Sequence, residues 1–266
     1  MISKRLTPCD LEQIAASGQC FRMARQQDGW WRICAGKDCI RVRQQGDMLD
    51  LDTDEAGFTE KWRSYFDWDT DYAAICAAVP ESDVFLQQAV RYGSGLRILR
   101  QDLWETLITF VISQNNNIPR IQHTVEAMCR AWGTPCRDSA GERYDTFPDK
   151  AQLARASLAQ LRAIGLGYRD KYIYAIAHSD FDAQQICALP AVQAEEALLA
   201  LPGVGKKVAA CVRLFGLHDL SAFPVDTWMQ KICKAHYGGQ FPVEQYGEFA
   251  GVLQQYLFFY GRTANR

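Results

Sequence analysis

Leu198-Leu199-Ala200-Leu201-Pro202-Gly203-Val204-Gly205-Lys206-Lys207-Val208-Ala209 is the stretch whose reading decides the fold. An apolar helix is stopped by Pro202-Gly203, a tight Gly-Val-Gly turn follows, and a second helix starts at the two lysines. Glycine at 203 and 205 lets the backbone approach a phosphate. The first-turn amides, out to Val208, have no intrahelical partner and point outward to bind it. The pattern is a helix-hairpin-helix spanning about residues 191–216, and such a hairpin grips a nucleic-acid backbone without reading its sequence. A plain turn between two packed helices is the structural alternative, and the Pro-Gly-Val-Gly-Lys-Lys order argues against it.

Nineteen positions beyond Lys207 comes Pro224-Val225-Asp226-Thr227. There Asp226 reads as the N-cap of a helix carrying Met229 and Ile232. Helical periodicity also runs upstream, from about Leu99. Asp102 caps a helix bearing Leu103, Leu107, Phe110 and Val111. Asn117 followed by Pro119 opens another, with Ile121, Val125, Met128 and Trp132 as its buried stripe. Ser157 and Gln160 form a capping box, and that helix stops at Gly165-Leu166-Gly167, ahead of an exposed Tyr168-Arg169.

The first hundred residues read differently. Trp30–Ala35, Cys39–Arg43 and Met48–Asp52 are short strands joined by Gly36-Lys37-Asp38 and Gln44-Gln45-Gly46-Asp47, with Phe21–Met23 as a further candidate. Phe58, Trp62, Tyr65 and Phe66 then fall on one helical face. The fold class is α+β: a twisted antiparallel sheet domain over residues 1–97, followed by a helical domain over 98–266 that holds the hairpin.

Composition narrows the function classes. The 266 residues are 48% hydrophobic and 23% charged, with a net charge of −2, which excludes a disordered chain. Residues 47–83 hold eleven acidic side chains against Lys61 and Arg63, a local charge of −9, so the rest of the chain carries +7. That asymmetry permits an anionic partner for the remainder. The longest charge-free stretch, 106–119, is too short to span a membrane, and the N-terminus lacks an apolar secretory core, so a bacterial or archaeal cytoplasm is expected. Ten cysteines without a CxxC pair read mostly as reduced core residues. His123, His178, His218 and His236 fit no recognised site and read as surface or structural residues.

Taken together, Gln114-Asn115-Asn116-Asn117-Ile118-Pro119-Arg120, Gly165-Leu166-Gly167-Tyr168-Arg169, Gly203-Val204-Gly205-Lys206-Lys207-Val208-Ala209-Ala210-Cys211 and Pro224-Val225-Asp226 resemble the helix-hairpin-helix/Gly-Pro-Asp superfamily of DNA base-excision glycosylases, and within it the 8-oxoguanine DNA glycosylase branch. The resemblance runs from Ser17-Gly18-Gln19 to Phe258. It implies a bifunctional enzyme that excises 8-oxoguanine from duplex DNA, with cytosine expected opposite the lesion, and then nicks the strand as an AP lyase. Lys207 matches the nucleophile and Asp226 the essential aspartate, while Lys206 is left to solvent or phosphate. A first-turn lysine sits at the positive end of the helix dipole, which favours the free amine. By the same resemblance Gly18 offers a backbone carbonyl to the N7 proton of the oxidised base. Cys211 and Phe258 sandwich that base, and Gln254 reads its Watson–Crick edge. Tyr168 wedges into the stack, Asn115 holds the duplex open, and Arg120 and Arg169 contact the orphaned base. Gly203, Gly205 and Val208 belong to the phosphate-gripping hairpin.

Trp228 departs from the pattern, standing where many members have a histidine near the phosphate backbone. No iron–sulfur cluster is expected, because only Cys233 lies beyond Cys211. A structural monovalent cation on the hairpin carbonyls is an implied option, and a monomer is expected. Two other readings stay open at this point: a monofunctional alkylbase glycosylase of the same superfamily, and a non-catalytic helix-hairpin-helix DNA-binding module.

Overall fold

A computed structural model describes residues 1–264. Five antiparallel strands, β1 (Ile2–Arg5), β2 (Met23–Arg25), β3 (Trp31–Ala35), β4 (Asp38–Gln45) and β5 (Met48–Leu51), form a sheet in the order β1-β5-β4-β3-β2. Gly36 and Gly46 supply the positive φ that the two tight hairpins need. On β4, Ile40 and Val42 are buried, while Arg41 and Arg43 turn outward and flank the Trp30 ring at 5.1 and 4.9 Å. Edge strand β1 is not legible in the sequence, since four residues that include Lys4 and Arg5 give no apolar run to recognise. β2 begins at Met23 rather than Phe21. The Phe21 ring leaves the sheet and packs edge-on against Phe110, with centroids 5.8 Å apart.

Phe58, Trp62, Tyr65 and Phe66 all bury against the sheet, on a helical stretch from Glu55 whose middle, Phe58–Trp62, is wound as a π-helix. A second, larger core lies between the helices. The helices Tyr72–Ala77 and Val84–Tyr92 bury Tyr72, Ile75 and Leu86 in this helical core, although they precede the expected break at residue 97. At its centre runs Leu103–Ser113, capped by Asp102, whose carboxylate accepts the Glu105 amide at 2.8 Å. Residues Leu103 to Ile112 of this helix are all buried, as befits a strut packed on every side. The helix Ile118–Trp132 starts at Asn117 as expected, with Trp132 half-buried at its end.

Buried polar groups join the two cores. Arg22 donates to Glu105 at 3.2 Å, and the same carboxylate accepts the Gly36 amide at 2.7 Å. Burial works against the charge on Arg22, but the Glu105 carboxylate beside it holds the guanidinium firmly protonated. Arg97, fully buried, donates to the carbonyls of Pro8, Phe66, Asp67 and Thr70. His218 lies against Asp67 at 3.1 Å, and Tyr72 donates to that carboxylate at 2.7 Å. The ten cysteines are free; Cys20, Cys129, Cys211 and Cys233 are buried, five are half-buried and Cys187 is exposed, so the core reading holds for four of them. Among the described residues no helix is long and apolar enough to cross a membrane.

Candidate active site

The hairpin consists of helices Ala191–Leu199 and Lys206–Gly216. Gly205 is the N-cap of the second helix, in extended conformation and without a side-chain cap, so the first-turn amides are left for an external acceptor. The two glycines do different work. A Cβ on Gly203 would lie 2.3 Å from the Tyr172 ring, so this position is fixed by packing, whereas nothing lies within 4 Å of one on Gly205. Of the two, only Gly205 leaves open space beside its backbone for an incoming group. Val208 is buried, which leaves its backbone amide as its means of contact.

Lys206 is exposed and Lys207 is half-buried, turned inward. The Lys207 amine donates to Ser113 Oγ at 3.3 Å and lies 5.1 Å from the centre of the Phe110 ring. Asp226 caps the helix Thr227–His236 by accepting the Met229 amide at 2.8 Å. Lys207 and Asp226 line one cavity of about 730 Å³, a size suited to an extruded nucleoside. Cys211 lines it too. Burial pushes the Cys211 thiol up, the Lys207 amine draws it back and Asp226 raises it further, so lysine and aspartate both lie within electrostatic reach of one sulfur.

Gly18, Gln254 and Phe258 complete the same cavity. Gly18 has φ +79, and a Cβ there would stand 3.2 Å from Ile118 Cδ1 and 3.6 Å from Phe258 Cε1. Only a glycine fits that approach. Gln254 is 4% exposed, and its Oε1 has no hydrogen-bond donor among the described residues. A buried amide oxygen without a donor costs stability, so its presence on a cavity wall marks a place for a ligand donor.

The residues expected to face the duplex lie outside this cavity. Asn115 is exposed with φ +47, Arg120 is exposed, and Tyr168 projects at 51% exposure beyond the Gly165 and Gly167 kinks. Arg169 is buried, where the sequence reading expected it to be exposed. It is 4% exposed, and its guanidinium donates to the carbonyls of Leu166, Gln114 and Asn115. The chain leaves the helix at Ser113, and Arg169 supplies donors to the Gln114 and Asn115 carbonyls that follow it.

Sequence reasoning gave several cavity residues and their supports no role in the site. Phe110 and Phe215 stack at 5.3 Å to form an aromatic floor. Gln255 donates to the Ser17 carbonyl at 2.9 Å, and Gln19 donates to Ser17 Oγ and to the Arg97 carbonyl, so Gly18 is clamped from both sides. Trp228 stands at the cavity edge, 37% exposed, with the Lys231 amine 5.1 Å from its ring centre. At the hairpin the Leu201 carbonyl accepts from the Val204 amide and that of Gly203 from Gln114 Nε2, each at 3.1 Å, and each oxygen has a second lone pair.

Comparison with known proteins places relatives around this geometry. Residues 1–107 match the 8-oxoguanine DNA glycosylase N-terminal domain, and residues 108–245 match the HhH-GPD superfamily of base excision DNA repair proteins. A probable N-glycosylase/DNA lyase of Methanothermobacter thermautotrophicus is 30% identical across 96% of this chain and 94% of its own length. The N-glycosylase/DNA lyase of Saccharomyces cerevisiae is 40% identical over 158 residues, 54% of this chain but 42% of the yeast protein. The crystal structure of the Clostridium acetobutylicum 8-oxoguanine glycosylase/lyase with double-stranded DNA containing cytosine opposite 8-oxoG superposes with a TM-score of 0.92 at 30% identity, covering 100% of this chain and 99% of that one.

Proposed function

Because the chain belongs to the HhH-GPD superfamily of base excision DNA repair proteins and carries the 8-oxoguanine DNA glycosylase N-terminal domain, we propose that it excises 8-oxoguanine from duplex DNA, opposite cytosine, and nicks the strand as an AP lyase. The observation that carries this reading is the shared cavity, with the Lys207 amine, the Asp226 carboxylate and the unpaired Gln254 Oε1 on its walls.

The chemistry follows from those groups. The sugar C1′ is out of reach inside a stacked duplex, so the nucleotide swings out into the cavity. Tyr168, exposed just beyond the Gly165 and Gly167 kinks, fills the gap it leaves. As the C1′–N9 bond breaks, the base leaves with the electron pair and takes up a proton, and the Asp226 carboxylate stabilises the positive charge growing on the sugar. The Lys207 lone pair forms the new C1′–N bond, the nitrogen sheds a proton, and the sugar ring opens to a protonated Schiff base. Loss of a C2′ proton from that species expels the 3′ phosphate and cuts the strand. Lys207 inside the cavity separates this course from that of a monofunctional alkylbase glycosylase, whose attacking group is water.

Incision of an 8-oxoguanine:cytosine duplex, with guanine:cytosine and alkylated-base duplexes beside it, is the test. Release of 8-oxoguanine with a strand nick is expected. Release of alkylated bases alone would point to the monofunctional enzyme, and tight binding with no turnover to a DNA-binding module.

A further inference from the structure

Ser113 ends the central helix, and its hydroxyl is committed in a specific direction. Oγ donates to the Phe110 carbonyl at 2.7 Å, so its proton is spent and its lone pairs are what it offers to Lys207 Nζ at 3.3 Å. Below the amine lies the Phe110 ring, its centre 5.1 Å away, and one helical turn along Cys211 lines the same cavity. A neutral amine has two N–H bonds and one lone pair. One N–H bond turned to Ser113 Oγ restricts rotation of the amine, at the wall of the cavity that both residues line. The other charged groups on that wall are spoken for or set apart. Asp226 caps its own helix through Oδ1, and Arg262, from the C-terminal helix, lies over Phe258 and donates to the Ala16 carbonyl.

We infer that Ser113 is a positioning residue for the Lys207 nucleophile: an acceptor-only hydroxyl that aims the amine lone pair at the sugar carbon. The inference rests on the glycosylase/lyase reading above. A serine bonded back to the carbonyl three residues earlier is otherwise an ordinary helix-end feature, and alanine would replace it at small cost.

The experiment begins with wild-type protein and borohydride trapping on an 8-oxoguanine:cytosine duplex. No trapped adduct there overturns the lyase reading itself, and this inference with it. Given trapping, Ser113→Ala is expected to slow single-turnover adduct formation about tenfold, the worth of a hydrogen bond to an ionisable group. Its Kd for a duplex holding a tetrahydrofuran abasic site should stay within about twofold of wild type, since only an attack-stage interaction is lost. Ser113→Thr, which keeps the hydroxyl, should restore the rate to within about threefold. Thermal melting of both variants shows that each is folded. Wild-type adduct rates in Ser113→Ala, a Kd that worsens in step with the rate, or a folded Ser113→Thr as slow as Ser113→Ala would each overturn the assignment.

Discussion

Gln19 and Gln254 are both glutamines shut away from solvent, and they lead opposite lives. Gln19 is 0% exposed and uses every face of its amide: Nε2 donates to Ser17 Oγ and the Arg97 carbonyl, and Oε1 accepts the Leu99 amide at 2.8 Å. Gln254 is as deeply buried, and its Oε1 has no donor among the described residues. The same side chain is a joint in one place and an open socket in the other. Gly203 and Gly205 repeat the contrast, one pressed against Tyr172 and the other facing open space. Where the fold satisfies a group it is building itself; where it leaves one unsatisfied on a cavity wall, that group is open to a donor from outside.

The sharpest way to widen this contrast is Asp226→Asn. Asparagine caps a helix as well as aspartate. Stability should therefore hold within about 1 kcal/mol while single-turnover base release falls by about 10²–10³-fold, as expected when a charge facing the transition state is removed. A comparable loss in both measurements would make Asp226 a structural cap only. The two glutamines come next. Gln19→Leu strands the Leu99 amide and the Arg97 carbonyl and should cost about 3 kcal/mol in urea unfolding. Gln254→Leu should cost less than about 1 kcal/mol, yet shrink the kcat/KM preference for 8-oxoguanine over guanine by about 10–100-fold. Equal destabilisation by both would erase the distinction.

The glycine pair gives a smaller effect. Gly203→Ala meets the Tyr172 ring at φ +77 and should lose about 2 kcal/mol, while Gly205→Ala melts like wild type and binds duplex DNA about threefold more weakly. The smallest is a pH effect at the sheet–helix boundary. Burial opposes the charge on Asp67, but the His218 and Tyr72 contacts hold its carboxyl down at about 2, against an ordinary 3.8. A depressed carboxyl contributes stability that is complete above about pH 4 and fades as pH falls toward 2. The gap in unfolding free energy between wild type and Asp67→Asn should therefore narrow across that window. A constant gap would show that the charge of Asp67 is not what stabilises the fold.

What the sequence reveals divides along the same line. The hairpin, the Asp226 cap and the β3–β5 strands are written locally, in glycine spacing, cap residues and period, so they are legible in the sequence alone, while Lys207 is singled out from Lys206 by the family resemblance. Gln19, Gln255 and Ser113 are not, because their partners lie far along the chain or across a helix interface and no local pattern announces a tertiary hydrogen bond. Arg169 misleads for the same reason. Gly-Leu-Gly-Tyr-Arg reads as an exposed turn, and only the unmet carbonyls after Ser113 explain why the arginine folds inward while Tyr168 stays out. Edge strand β1 escapes because a charged four-residue strand takes its identity from pairing with β5.

The most direct measurement is peptide mapping of the borohydride-trapped adduct formed on an 8-oxoguanine:cytosine duplex. The DNA remnant should sit on Lys207, with Lys206 unmodified and no adduct in Lys207→Gln. A remnant on Lys206 or on any other amine, or an undiminished adduct in that variant, would contradict a cavity built around this one nucleophile.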